Sequence, residues 1–175
     1  MRADRMALAA RRAMVPASAT ESGAGAQGGA PLLLELTIPG EEAAVRGALA
    51  RSIAALEPLD LSADCRASTE LVLAEVLNNI VEHAYARSDG PITLEMRLAE
   101  DALACAVRDH GLPMPAGRMP RGARARLDVP DEDLPEGGFG WFLIRRLTRN
   151  LAYVRDGGSN RLTFLVPLER AGQSP

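Results

Sequence analysis

Two runs decide the fold: Pro91-Ile92-Thr93-Leu94-Glu95-Met96-Arg97-Leu98 and, after Ala99-Glu100-Asp101, Ala102-Leu103-Ala104-Cys105-Ala106-Val107-Arg108-Asp109. Ile92, Leu94, Met96 and Leu98 alternate with Thr93, Glu95 and Arg97, the period of a strand with one apolar face. A turn begins at Asp101, and Leu103, Cys105 and Val107 then mark the inward face of a second strand, so the pair reads as a hairpin. The same parity puts Asp109 on the inward face, among core residues, where a carboxylate must find a donor.

Working outward, Ser62 or Asp64 caps a helix running to about Ala86 and stopping before Ser88-Asp89-Gly90. Ahead of it, Leu32 to Ile38 reads as a strand closed by Pro39-Gly40. Glu41 to Leu56 reads as a helix with acids in its first turn, where the helix dipole favours them, and Leu59 to Ser62 connects. Beyond the hairpin, residues 110–138 lose all periodicity and switch from Arg118, Arg121, Arg124 and Arg126 to Asp128, Asp131, Glu132 and Asp133. So long a connection is a lid, a binding loop or a disordered segment. Phe139 to Asn150 follows as a helix opened by Gly137-Gly138. A last hairpin runs from Leu151 to Arg155, turns at Gly157-Gly158-Ser159-Asn160, and returns over Arg161 to Leu168. The order predicts an α+β two-layer sandwich with helices on one face of a mixed, mainly antiparallel sheet. Residues 1–30 form an Ala/Gly/Arg-rich leader expected to be disordered, 31–170 the domain with its lid at 110–137, and 171–175 a tail.

At 175 residues, 47% hydrophobic and 25% charged, the chain has the make-up of a single globular domain. All 20 basic residues are Arg. The absence of Lys excludes Schiff-base chemistry and the phosphate loop built around a lysine. A net charge of -3 gives no electrostatic reason to expect nucleic acid. No apolar run reaches the roughly 20 residues of a membrane helix. Cys65 and Cys105 read as reduced core residues of a cytoplasmic protein.

Three clusters carry chemistry. Glu75, Asn78, Asn79 and Glu82 share one helix face at spacings of three and four. Either this is a water-facing patch, or Glu75 and Asn79 present a carboxylate and an amide oxygen to one small polar object; Leu71 and Val72, one turn earlier on that side, argue against a fully solvated stripe. A carboxylate can orient an attacking hydroxyl, and an amide oxygen is a hard ligand suited to Mg2+. Asp109 either caps the loop or accepts a hydrogen bond from an amine such as that of adenine, with Gly111 letting the chain pass close to a flat ring. Glu136-Gly137-Gly138-Phe139-Gly140-Trp141 is either a flexible joint or a set of free backbone amides at a helix N-terminus, which suits phosphate oxygens.

Taken in order, Glu75-x-x-x-Asn79 with His83-Ala84-Tyr85, then Asp109-His110-Gly111, then Gly138-Phe139-Gly140-Trp141-Phe142-Leu143-Ile144, the chain resembles the GHKL ATPases of the Bergerat fold. Among these, the histidine-kinase-like domains of bacterial anti-sigma regulatory factors, which are serine-protein kinases, are the most similar. The resemblance spans roughly Leu32 to Leu168. It implies that Glu75 is the catalytic base, Asn79 the Mg2+ ligand, and Asp109 with Gly111 the adenine-contacting pair. Gly137, Gly138, Phe139, Gly140 and Trp141 would hold the phosphates, His83 would lie near the nucleotide edge, and Thr163 belongs to the ending that also resembles the group. It further implies ATP and Mg2+ as cofactors, phosphorylation of a STAS-type anti-sigma factor antagonist, and a sigma factor as the second partner. Exposed apolar residues of the first helix would serve a homodimer or the sigma factor. Some members carry a basic residue where this chain has Glu136. Either a lid arginine (Arg121, Arg124 or Arg126) then substitutes, or phosphoryl transfer is slow; the rival reading that Glu136 favours is a non-catalytic module that binds ATP and sequesters its partner.

Overall fold

The computed structural model describes residues 29–120 and 139–172. Most of the leader, residues 121–138 of the lid segment with Glu136, Gly137, Gly138 and the three substitute arginines, and the last three residues of the tail lie outside the described residues. The elements run β1 (Leu32–Pro39), α1 (Glu42–Ala54), α2 (Ala63–Asn79), β2 (Pro91–Leu98), β3 (Ala102–Asp109), α3 (Phe139–Leu147), β4 (Arg149–Asp156) and β5 (Ser159–Pro167). Five strands form one sheet in the order β1-β2-β3-β5-β4, and every pairing is antiparallel. In the central hairpin Leu94 pairs with Val107, Met96 with Cys105 and Leu98 with Leu103, so the inward residues meet directly across the ladder. Leu162, Phe164 and Val166 of β5 extend this apolar face. Against it lie Val45 and Ala48 of α1, Val72, Leu73, Val76 and Leu77 of α2, and Trp141 and Ile144 of α3. One layer of helices and one sheet enclose a single core.

Ser62 is the cap of α2: its Oγ accepts from the Cys65 N–H at 3.1 Å. α1 stops at Ala54, short of Leu56, because the chain tightens into a 3-10 turn over Glu57–Leu59 and then reaches Asp60 at φ 49°. α2 is α-helical only to Asn79, where it widens into a π turn, Ile80–Ala84, closed by the Tyr85 N–H donating to Ile80 O at 2.9 Å. The wider turn delivers the Tyr85 ring between Gly40 and Gly90, at both of which an added Cβ would collide with it. There the Tyr85 hydroxyl donates to Pro91 O at 2.7 Å and accepts from the His110 N–H at 3.1 Å, joining the start of β2 to the end of β3.

α3 ends at Leu147, not Asn150. Thr148 Oγ1 turns back to donate to Ile144 O at 2.6 Å, Asn150 takes φ 51°, and β4 has already begun at Arg149. The last turn is also shorter than its composition suggests. Asp156 pairs with Ser159, leaving only Gly157 and Gly158, at φ 54° and 83°, as a two-residue hairpin loop. Ser159 and Asn160 therefore belong to β5. Both cysteines are free and buried, and burial pushes the Cys105 thiol well up from its ordinary 9.0. Among the described residues no helix is long and apolar enough to cross a membrane.

Candidate functional site

Glu75 and Asn79 stand one turn apart on α2, half-buried, facing the first turn of α3. A Cβ on Gly140 would collide with Glu75 Oε2, and would lie 3.1 Å from its Cδ and 3.8 Å from Asn79 Nδ2. Glycine inside a helix costs roughly 0.5–1 kcal/mol relative to alanine, so its presence needs a reason, and the Glu75 carboxylate seated against it supplies one. The Asn79 side chain donates from Nδ2 to Glu75 O at 2.6 Å. Because a backbone carbonyl accepts only from the NH2 end, the orientation of the amide is fixed and its oxygen is the end left over. The expected four-residue face splits here: Asn78 and Glu82 are exposed, as is Leu71, while Val72 is fully buried. Only Glu75 and Asn79 turn toward α3.

The second cluster closes the end of β3. Asp109 is 5% exposed, and its Oδ1 accepts from the Gly111 N–H at 2.9 Å and from Asn160 Nδ2 at 2.7 Å. Among the described residues Oδ2 accepts nothing. Asn160 is placed by its own contacts. Its Oδ1 accepts from the Tyr153 hydroxyl at 2.7 Å and from Arg155 Nη1, while its Nδ2 also donates to Leu112 O at 3.0 Å. Arg155 Nη1 donates in addition to Gly111 O at 3.0 Å. Burial, and to a smaller degree the nearby Asp109 carboxylate, raise the Tyr85 phenol above 10.0, against the lowering effect of the His110 N–H.

Asn160, Tyr153 and Arg155 went unseen in the sequence, although a signal was there: Asn160 has the parity of Leu162, Phe164 and Val166. Thr163 has the opposite parity. It pairs with Ala106 and Ala152 on the face of the sheet that bears no helices, so it does not join the cluster, and Asn160 stands beside Asp109 in its place. Trp141, 8% exposed, packs in the core. Phe139 is 48% exposed and stacks on Phe142 with ring centroids 5.6 Å apart. His83 lies exposed on the π turn. Gly111 makes a close approach, but to the chain itself: a Cβ there would run into the backbone of Ala84, whose O accepts the Leu112 N–H at 2.8 Å. The first part of the lid segment is anchored, with the Met114 N–H donating to Tyr153 Oη at 3.2 Å and Arg145 Nε to Pro120 O at 3.0 Å.

A carboxylate and an amide beside the positive end of one helix, and a second carboxylate whose Oδ2 has no partner among the described residues at the end of the adjoining sheet, are groups able to hold the two ends of a polar ligand. A two-layer sandwich with polar groups beside the start of α3 and at the end of β3 is the class of protein this arrangement defines. The histidine kinase-like ATPase domain matches residues 38–166, and the chain belongs to that family. Its similar relatives include "Serine-protein kinase RsbW" of Bacillus cereus, 33% identical over 90 residues covering 51% of this chain and 56% of that protein. The protein of the same name from Bacillus mycoides is 32% identical with the same coverage. The chain thus aligns with about half the length of these curated relatives. The fold is also similar to the crystal structure of the RsbU and RsbW domains of Rv1364c from Mycobacterium tuberculosis, with TM-score 0.53 and 19% identity over 78% of this chain and 34% of that one.

Proposed function

We propose that this chain is a cytoplasmic protein kinase and anti-sigma factor that transfers the γ-phosphoryl group of ATP to a serine or threonine of a STAS-type antagonist, and that it holds a sigma factor when the antagonist is unavailable. The observation that carries the reading is the seating of Glu75 against Gly140, with Asn79 one turn away. A carboxylate and, one turn away, an amide beside the first turn of α3 support a base and a hard oxygen ligand near a helix start whose amides suit phosphate. The names of the kinase relatives support the choice of reaction.

In this mechanism Asp109 accepts from the amine of the base and so fixes which end of the nucleotide enters. The N-terminal amides of α3, with Gly137 and Gly138 ahead of it, hold the phosphates. Glu75 orients the attacking hydroxyl and takes its proton. Positioning and charge stabilisation supply most of the rate in such transfers. The oxygen of Asn79 would be the chain's ligand for Mg2+, which would supply charge neutralisation on the phosphates. The test is incubation with labelled ATP and a candidate antagonist: the native chain labels the antagonist, and Glu75→Gln binds ATP but leaves it unlabelled. Transfer by Glu75→Gln at the native rate refutes the assignment.

Glu136, an acid directly ahead of the glycine run, favours a second reading in which ATP only orders the lid and exposes a partner surface. In that case the native chain retains the partner in an ATP-dependent manner and labels nothing.

A further inference from the structure

The amide of Asn160 is used to its limit. Two donors, Tyr153 Oη and Arg155 Nη1, converge on its oxygen, and its nitrogen faces Asp109 Oδ1 at 2.7 Å and Leu112 O at 3.0 Å. Arg155 Nη1, Asp109 Oδ1 and Leu112 O each have only one compatible end of the amide, so the group has a single orientation, and the Tyr153 hydroxyl meets its oxygen as a donor. With Asn160 Nδ2 and the Gly111 N–H both on Oδ1, one oxygen of Asp109 is spent and its carboxylate plane is pinned. Among the described residues, what remains for a ligand is Oδ2, a carboxylate oxygen that accepts hydrogen bonds.

We infer that Asn160, locked by Tyr153 and Arg155, is a positioning residue for base specificity: it aims the free oxygen of Asp109 so that the site takes a purine carrying an amino group at position 6 and rejects one carrying hydrogen or oxygen there. The inference rests on the proposed ATP-binding reading. An acceptor of fixed direction gains a hydrogen bond from a 6-amino group, gains nothing from hydrogen, and meets a second acceptor in a 6-oxo group. Neither Tyr153 nor Arg155 needs to touch the base for this; they act through the amide. Arg155 also ties Gly111 O to Asn160, so the chain just past Asp109 is held to the same frame.

The experiment measures dissociation constants for ATP, purine riboside triphosphate, which lacks the 6-amine, and inosine triphosphate, with Mg2+ present. It uses the native chain, Asn160→Leu and Tyr153→Phe, each checked first for native-like unfolding. The native chain is expected to favour ATP over purine riboside triphosphate by roughly tenfold or more, the worth of a hydrogen bond to a charged group. Asn160→Leu should bring that ratio close to one. Tyr153→Phe, which removes one donor from the amide and leaves Asp109 and Asn160 in place, should lower it by a smaller factor, and it carries the test alone if Asn160→Leu does not fold. A merely structural Asn160 would weaken all three nucleotides equally and leave the ratio at its native value; that result overturns the inference while the ATP reading stands. If the native chain binds none of the three, the ATP reading fails and the inference with it.

Discussion

Replacing Gly140 by alanine separates stability from chemistry. Helix propensity alone would make Gly140→Ala stabilising by up to about 1 kcal/mol. The new methyl, however, would collide with Glu75 Oε2 and sit 3.1 Å from Glu75 Cδ, tighter than ordinary van der Waals contact; against Asn79 Nδ2, at 3.8 Å, it is unstrained. The obstructing atom is the far end of a flexible, half-buried side chain, so the conflict is relieved by swinging the carboxylate aside, at small cost to the fold. The net change in unfolding free energy should therefore stay within about 1 kcal/mol of zero. Catalysis has no such tolerance. A carboxylate moved by about 1 Å from a reacting hydroxyl loses on the order of a hundredfold in rate. The assay is single-turnover consumption of labelled ATP, with ATP affinity from calorimetry and stability from denaturant unfolding. The expected pattern is near-native stability, ATP affinity within a few fold, and a rate down by about two orders of magnitude. A variant that turns over ATP at the native rate would show that Glu75 does not work from its position against Gly140.

Gly111→Ala sets a methyl against the backbone of Ala84 rather than a flexible side-chain tip. The π turn or the end of β3 must then shift, and a loss of about 1–3 kcal/mol is expected in denaturant unfolding, with ATP affinity falling as well because the Gly111 N–H is one of the two donors on Asp109 Oδ1. Stability should also decline in alkali. The folded thiol of Cys105 is held far above 9.0 by burial and the Tyr85 phenol above 10.0, so each group stays protonated in the folded chain after it has ionised in the unfolded one. Their stabilising contribution is whole below pH 9 and lost as pH rises beyond it, at up to about 1.4 kcal/mol per pH unit for each titrating group. Unfolding between pH 8 and 10.5 should show the fall, and Cys105→Ala should flatten its first part; an equal slope in the variant contradicts the assignment to Cys105.

The fold was legible wherever side chains alternate on a fixed period. Ile92 to Leu98 and Leu103 to Asp109 gave the central hairpin, its parity and the inward Asp109, because a strand's period of two leaves little freedom once one face is apolar. That Glu75 and Asn79 share a helix face was legible from their four-residue spacing, while their packing against Gly140 comes from the fold. What stayed hidden depends on single hydrogen bonds or on one residue of register. Nothing in the apolar run from Leu71 to Ala84 announces that the helix widens after Asn79, since the π turn is fixed by where the Tyr85 ring is received, between Gly40 and Gly90. The end of α3 turns on Thr148 Oγ1 reaching back to Ile144 O, a competition between side chain and backbone that composition does not reveal. Asn160 was lost to the count of turn residues: Gly157-Gly158-Ser159-Asn160 all have turn chemistry, yet only the glycines are needed, and counting back by twos from Leu162 would have put Asn160 beside Asp109. At Gly111 strand parity does not reveal the crowding that glycine relieves, which is with the backbone of Ala84.

Nucleotide binding itself is the most direct measurement. Titration of the chain with ATP in the presence of Mg2+, followed by calorimetry and by thermal unfolding, should give a saturable heat. At a hundredfold excess over the dissociation constant it should add about 2.7 kcal/mol of stability. Asp109→Asn should lose most of both. No heat and no change in the unfolding curve at saturating ATP would contradict the account at its root.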